Sequence, residues 1–128
     1  MSDVLVVEDD PDVSWALVEL LESEGHVVRA AEDGMQGLRC LAERLPDVVL
    51  LDVEMPRLTG PEMAYRMFVN NLGMENVPIV LVSGVAGLRD LAGRIGTPYF
   101  LPKPFDLHRL LDMVARALRE RELPRPCP

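Results

Sequence analysis

The chain has 128 residues, 48% of them hydrophobic and 27% charged, and a formal net charge of −8 at neutral pH. This length and composition predict one globular domain with its own hydrophobic core. The acidic balance argues against direct binding of nucleic acid or of an anionic membrane surface. No apolar run approaches the roughly 20 residues of a membrane-spanning helix. The beginning MSDVLVVEDD does not resemble a leader, and the two cysteines, Cys40 and Cys127, do not suggest a disulfide framework. We therefore expect a cytoplasmic location.

The first half of the chain alternates short apolar runs with the apolar spacing of helices. The predicted elements are a strand over 4–7, a helix over 11–21, a weaker strand over 26–30, a helix over 35–45 and a strand over 48–51. Gly25 and Pro46 are expected to end the two helices. The run from Val48 to Leu51 is apolar at every position, which is typical of a parallel strand covered on both faces.

The second half continues the same alternation. The predicted elements are a helix over 61–72, a strand over 79–82, a short helix over 88–95, a strand over 99–101 and a helix over 107–118. Pro61 suits a first helical turn, and Asp106 is a plausible N-cap of the last helix. We place a loop at NNLGMEN between the third helix and the fourth strand. The proline-rich segment 122–128 is expected to be a frayed tail or the start of a linker, after a domain that spans residues 1–121.

Five successive strand–helix units predict a parallel sheet with helices on both faces and right-handed crossovers. Ligands of such sheets bind beyond the carboxyl ends of the strands. Polar side chains follow four of the predicted strands at this edge: Glu8 and Asp9, Asp52, Ser83 and Lys103. Each could separately be a helix cap, a turn residue or a solvated charge. Together they indicate a site that binds a cation, because neighbouring carboxylates repel one another when no cation is present.

The residue types at this edge favour Mg²⁺, which binds through one or two carboxylates together with water and phosphate. Zinc is poorly supported, since His26 and His108 lie far apart and no Cys/His spacing is present. The segment GVAGLRDLAG lacks the lysine and hydroxyl residue of a P-loop. The chemistry that these residues suit is phosphoryl transfer to the carboxylate of Asp52.

Lys103 is the only lysine, and the other twelve of the 13 Lys and Arg residues are arginine. Codon bias could leave one lysine at any basic position. An ammonium is a compact point charge, whereas a guanidinium is a planar fork that would crowd a metal. We interpret Lys103 as a partner of Asp52, Glu8, Asp9 and Ser83 around one anion site.

The segments LVVEDDPD, LLDVEMPRLTG, IVLVSG and YFLPKPFD resemble, in order and over essentially the whole chain, the motif regions of bacterial response-regulator receiver domains. The resemblance implies a flavodoxin-like (βα)5 fold, a doubly wound parallel sheet with strand order 2-1-3-4-5. It also implies a signalling switch that accepts a phosphoryl group from a histidine kinase or a phosphotransfer protein. The switch would alter the face around the fourth helix, fifth strand and fifth helix, for an output domain or target that the sequence does not identify. Dimerisation on phosphorylation is possible in this family.

The resemblance also implies roles for individual residues. The implied Mg²⁺ ligands are Asp9, Glu8 (mostly through water), Asp52 and the backbone carbonyl of Glu54. Asp52 takes the position of the phosphoacceptor, Ser83 and Lys103 contact the phosphoryl group, and Phe100 takes the position of the aromatic switch. Lys103-Pro104 resembles the family's cis peptide.

Two features depart from the family pattern, and two alternative functions stay open. The spacing from Ser83 to Lys103 is a couple of residues short and encloses a glycine-rich helix, so the output surface could differ. Glu54 lies two residues after Asp52, at a position that in the family resembled here influences how long the phosphoryl group persists. The first alternative is a phosphatase with an aspartate nucleophile, although such sites use D-x-D and this chain has Asp52-Val53-Glu54. The second is a receiver-like interaction module that does not respond to phosphorylation. As a receiver domain the chain would catalyse only its own phosphorylation and dephosphorylation.

Overall fold

The structure is a computed structural model that describes residues 2–70 and 72–126. Strands and helices alternate along the chain as predicted. The strands are β1 (Asp3–Val7), β2 (Val27–Ala31), β3 (Val48–Leu51), β4 (Ile79–Ser83) and β5 (Phe100–Pro102). The helices are α1 (Pro11–Ser23), α2 (Gly34–Glu43), α3 (Gly60–Val69), α4 (Leu88–Ile95) and α5 (Leu107–Glu120), with a short 3-10 helix at Met74–Asn76.

The five strands form one parallel sheet in the order β2-β1-β3-β4-β5. Val6 of β1, for example, lies opposite Ala30 of β2 and Leu50 of β3. The predicted flavodoxin-like fold and its strand order are confirmed. All five strands point the same way, so their carboxyl ends meet at one edge.

The core consists of two apolar layers, one on each face of the sheet. Leu5 and Val7 of β1 face the layer formed with α2, α3 and α4, whereas Val4 and Val6 face the layer formed with α1 and α5. This alternation follows from the two-residue period of a strand. Every residue of β3 and β4 is buried. Burial of each large aliphatic side chain contributes about 1.5–3 kcal/mol.

The helix N-termini are fixed by side-chain caps. The Asp10 carboxylate accepts hydrogen bonds from the N–H groups of Asp12 and Val13 at the start of α1. The Thr59 side chain begins α3 in a reciprocal capping box with Glu62. Asp106 accepts from the His108 N–H at the start of α5, so its predicted role as a cap is confirmed. These caps satisfy N–H groups that have no partner within the helix.

The expectation of a frayed tail is wrong for residues 122–126. The Glu122 N–H donates to the Tyr99 hydroxyl at 3.1 Å, and Pro124 is buried. The chain can fold back because Arg121, the C-cap of α5, adopts a left-handed conformation with φ of 53°.

Cys127, one of the two cysteines for which no disulfide framework was expected, lies outside the described residues. Within residues 2–70 and 72–126, no helix has the length and apolar character that crossing a membrane requires.

Candidate functional site

The carboxyl edge of the sheet brings together side chains that lie far apart in sequence. Glu8 and Asp9 follow β1, Asp52 follows β3, Ser83 is the last residue of β4, and Lys103 follows β5. They line a cavity of about 400 Å³ with several neighbours: Asp10, Glu54, Gly84 and Val85. The predicted convergence of these residues is therefore observed.

Lys103 forms the centre of an ion-pair network in this cavity. Its ammonium lies 2.8 Å from Glu8 Oε2 and 3.8 Å from Asp52 Oδ2. Glu8 and Asp52 are 4% and 7% exposed, so water screens these charges much less than at the surface. Removing the Lys103 ammonium would leave both buried carboxylates uncompensated, and a loss of this kind typically costs about 3–5 kcal/mol.

Backbone hydrogen bonds orient the two buried carboxylates. The Val53 N–H donates to Asp52 Oδ1 at 2.7 Å, and the Asp10 N–H donates to Glu8 Oε1 at 3.2 Å. Each carboxylate therefore has one oxygen held by the backbone and the other nearer Lys103.

Burial raises the pKa of Glu8 above its ordinary value, although the hydrogen bond from Lys103 acts in the opposite direction. Burial also raises the pKa of Asp52, again opposed by the Lys103 ammonium. The negative charge of Asp52 also raises the pKa of Glu8, and the negative charge of Asp9 raises the pKa of Asp52. One ammonium thus offsets only part of the negative charge gathered here.

The carboxylates of Glu8, Asp9 and Asp52 fit a hard divalent cation. One oxygen from each lies within 4.8 Å of the others. Asp9 is exposed, so the cluster is open to solvent on that side and leaves room for water ligands. An all-oxygen set with water is the environment that Mg²⁺ prefers, and a cation would relieve the repulsion among the carboxylates.

Comparison with known proteins agrees with this geometry. A family model described as "Response regulator receiver domain" matches residues 4–115, a range that includes all five strands. The chain belongs to the response regulator receiver domain family. Receiver domains are signalling domains of two-component systems, so the resemblance expected from the sequence motifs is confirmed.

Relatives of this receiver domain range from proteins of similar size to much longer ones. It is 40% identical over 116 residues to Protein Rrf1 of Nitratidesulfovibrio vulgaris, covering 90% of this chain and 81% of that protein. It is 33% identical to the nitrogen assimilation regulatory protein NtrX of Azorhizobium caulinodans, covering 96% of this chain but 27% of that protein. The solved structure of chemotaxis protein CheY4 of Vibrio cholerae superposes with a TM-score of 0.82 at 26% identity, over 91% of this chain and 98% of that one.

Three further residues predicted for the receiver site occupy different surroundings. Ser83 is buried, and its hydroxyl accepts a hydrogen bond from the Val85 N–H at 3.3 Å. Glu54 lines the cavity with an exposed side chain. Phe100 lies outside the cavity lining and packs, partly buried, against the α2–α3–α4 layer. The Lys103-Pro104 peptide is cis, as the resemblance implied.

Sequence reasoning missed two features that support the receiver site. The N-cap of α2, Asp33, is buried and paired with Arg57 in the loop after β3. The hydrogen bond from the Gln36 N–H, more than any other cause, lowers the pKa of Asp33. At the start of α3, a Cβ on Gly60 would lie 2.3 Å from the backbone carbonyl oxygen of Asp52. The sequence signal for Asp33 was an aspartate before a helix, and the signal for Gly60 was a Thr-Gly-Pro segment at the beginning of a helix. Neither signal identifies the residue that Asp33 or Gly60 contacts in the fold.

Gly60→Ala should destabilise the receiver domain by about 1–3 kcal/mol, because the added methyl group must displace the backbone at Asp52. Gly93→Ala is the matched control, since Gly93 also lies in a helix and a Cβ there has nothing within 4 Å. That change should stabilise the domain by about 0.5–1 kcal/mol. Urea unfolding of both variants measures the difference. Equal effects would show that the contact of Gly60 with Asp52 does not constrain the site.

In the absence of divalent cations, Asp52→Asn should stabilise the domain by about 1–2 kcal/mol near neutral pH, a gain typical of removing an unfavourable functional charge. The folded protein holds protons on Glu8 and Asp52 more tightly than the unfolded chain does, because their pKa values are raised. The stability that protonated Glu8 and Asp52 contribute is therefore lost as the pH rises above about 4 and passes the raised pKa values of the folded state. The gain from Asp52→Asn should grow as the pH rises above about 4. Urea unfolding in a chelator measures it, and a gain that shrinks with pH would contradict the charge argument.

Proposed function

We propose that the chain is a phosphorylation-dependent signalling switch, in which Asp52 accepts a phosphoryl group from a sensor histidine kinase or a phosphotransfer protein. The observation that carries this proposal is the buried Asp52 carboxylate beside Lys103, within a cluster of three carboxylates that fits Mg²⁺. Membership of the receiver domain family supports it.

The proposed transfer is a substitution at phosphorus. An oxygen of the Asp52 carboxylate forms the new P–O bond, and the P–N bond of the donor's phosphohistidine breaks, with the electron pair leaving on the imidazole nitrogen. A Mg²⁺ ion held by Glu8, Asp9, Asp52 and the backbone carbonyl of Glu54 would neutralise charge on the phosphoryl oxygens. Lys103 supplies a second positive charge from the β5 side. The chain thus promotes only its own phosphorylation and dephosphorylation.

The proposed switch follows from the charge that phosphorylation adds, about −1.5 to −2. Lys103, now bonded to Glu8, gains a stronger partner at Asp52, and the Ser83 hydroxyl exchanges its bond from the Val85 N–H for one to the phosphoryl group. Phe100 then turns into the space that Ser83 has left. The face formed by α4, β5 and α5 would then change its shape for an output domain or a target protein, with dimerisation as one form of output.

The remaining assignments are proposals of the same kind. Residues 1–121 form the receiver domain and residues 122–128 a proline-rich tail or the start of a linker. The expected location is the cytoplasm, where histidine kinases present their phosphohistidine. The net charge of −8 argues against direct binding of nucleic acid by this domain.

The decisive experiment is phosphorylation by a small donor such as acetyl phosphate, followed by intact-mass measurement. The chain should gain the mass of one phosphoryl group in Mg²⁺ and none in excess chelator. Labelling that is independent of divalent cations, or no labelling in Mg²⁺, would reject the proposed function.

A further inference from the structure

Residues 122–126, which we name the C-terminal strap, cross the edge of the sheet opposite the acidic site. The strap begins after Arg121, whose left-handed conformation reverses the chain. The Arg121 guanidinium donates to the carbonyl oxygens of Asp47 and Asn76, at 3.2 and 3.4 Å. The strap therefore leaves α5 in a fixed direction.

The first anchor of the strap is the Tyr99 hydroxyl. Tyr99 is fully buried, and its oxygen accepts from the Glu122 N–H at 3.1 Å. The same hydroxyl donates to Glu120 Oε1 at 3.1 Å, and the Arg116 guanidinium lies 5.5 Å from the ring centre. One side chain next to β5 thus ties the end of α5 to the beginning of the strap.

The second anchor is Gly96, the C-cap of α4. A Cβ on Gly96 would lie 2.5 Å from the backbone nitrogen and oxygen of Arg125, so the strap is seated directly on this glycine. Beyond it, Pro126 reaches an apolar groove between α3 and α4, whose lining it shares with Tyr65 and Leu91. The strap thereby connects the α1–α5 face of the sheet with the α3–α4 face.

Both anchors belong to the segment that carries the proposed switch. Tyr99 directly precedes Phe100, and β5 is only three residues long before it reaches Lys103. The Lys103 N–H donates to the Ser83 carbonyl oxygen at 2.9 Å. A shift of β5 that moves Lys103 or Phe100 therefore also moves the Tyr99 anchor, and a shift of α4 moves Gly96.

We propose that the C-terminal strap is a latch that opposes the switch and is loosened when the acidic site takes up a phosphoryl group. In the structure the strap is seated on Gly96 and Tyr99 while Lys103 is bonded to Glu8, and the latch would hold α4 and β5 in this arrangement. Because coupling between two sites is reciprocal, loosening the strap should raise the affinity of the acidic site for a phosphoryl mimic. This inference rests on the proposed function.

The first test is hydrogen exchange of the full chain, with and without Mg²⁺ and beryllium fluoride, a stable mimic of an aspartyl phosphate. Amides of the strap, including that of Glu122, should exchange faster when the mimic is bound. Binding of the mimic with unchanged exchange would overturn the latch and leave the proposed function intact. A chain that does not bind the mimic at all would reject both.

The second test compares Gly96→Ala with Gly25→Ala. Both glycines have a positive φ, +81° and +87°, so both variants carry the same kind of backbone strain, but a Cβ at Gly25 has nothing within 4 Å. Only Gly96→Ala unseats Arg125, and it should bind the mimic about five-fold or more tightly than Gly25→Ala. Tyr99→Phe, which removes one hydroxyl, should act in the same direction if Gly96→Ala does not fold. Equal affinity in the folded variants and the control would overturn the latch.

Discussion

Asp52→Asn should abolish phosphorylation by acetyl phosphate in Mg²⁺ while leaving the fold intact. The substitution preserves the shape of the side chain but removes the carboxylate that would form the new P–O bond. We do not expect the neighbouring carboxylates to replace it, because Glu8 is held by Lys103 and by the Asp10 N–H, and Asp9 is proposed as a ligand of the Mg²⁺ ion. Intact-mass measurement at saturating donor should find no phosphorylated variant.

Asp10→Asn is the matched control for this experiment. It removes one negative charge from the lining of the same cavity, yet Asn is as good an N-cap as Asp, so α1 should be unaffected. This control should be phosphorylated at nearly the native level. Equal labelling of Asp52→Asn and the native chain would place the acceptor elsewhere, whereas loss of labelling in both variants would indicate a general effect of charge.

The stability and labelling effects of Asp52→Asn have one physical origin. The Asp52 carboxylate is buried and is therefore less stable as an anion than it would be in water, and this is why its pKa is raised. The same site is suited to a cation and a phosphoryl group that offset this charge and displace water. A more stable but inactive variant is therefore the expected outcome, as at other functional sites where charge is concentrated at a cost to stability.

The sequence predicted best the elements in which one physical requirement, burial from water, applies to every residue. β3 and β4 are buried on both faces, so their uninterrupted apolar runs identified them. β2 lies at the edge of the sheet, and its exposed Val27 and buried Ala31 weaken the pattern, so its prediction began one residue early. The predicted third helix extended to Leu72, but α3 ends at Val69 and Leu72 is exposed.

The candidate site was predictable because parallel topology brings every strand end to the same edge, whatever the separation in sequence. Glu8 and Lys103 are 95 residues apart and 2.8 Å apart in space. What the sequence did not reveal were close approaches of backbone to backbone. Gly60 against Asp52 and Gly96 against Arg125 depend on how separate elements pack, and glycine has no side chain that records its partner.

Lys103→Arg should leave the domain folded but impair phosphorylation or the switch by about ten-fold or more, the equivalent of one lost charge-assisted hydrogen bond. The Lys103 ammonium fits between Glu8 Oε2 at 2.8 Å and Asp52 Oδ2 at 3.8 Å, with 23% of its side chain exposed. A guanidinium is wider and planar, so it can satisfy Glu8 only by extending into the space beside the three carboxylates. Charge is conserved, so any defect reports geometry.

The measurement compares the rate of labelling by acetyl phosphate and the affinity for beryllium fluoride with those of the native chain. Arg119→Lys, on the exposed face of α5, is the control for an exchange of the two basic residues and should change neither quantity. Urea unfolding should place Lys103→Arg within about 1 kcal/mol of the native stability, because the ion pair with Glu8 is kept. Native labelling and affinity in Lys103→Arg would mean that any positive charge suffices at this position, and that its being the one lysine of the chain is a coincidence of composition. A selective loss in Lys103→Arg would show that the site requires the compact ammonium, which no arginine of this chain can supply.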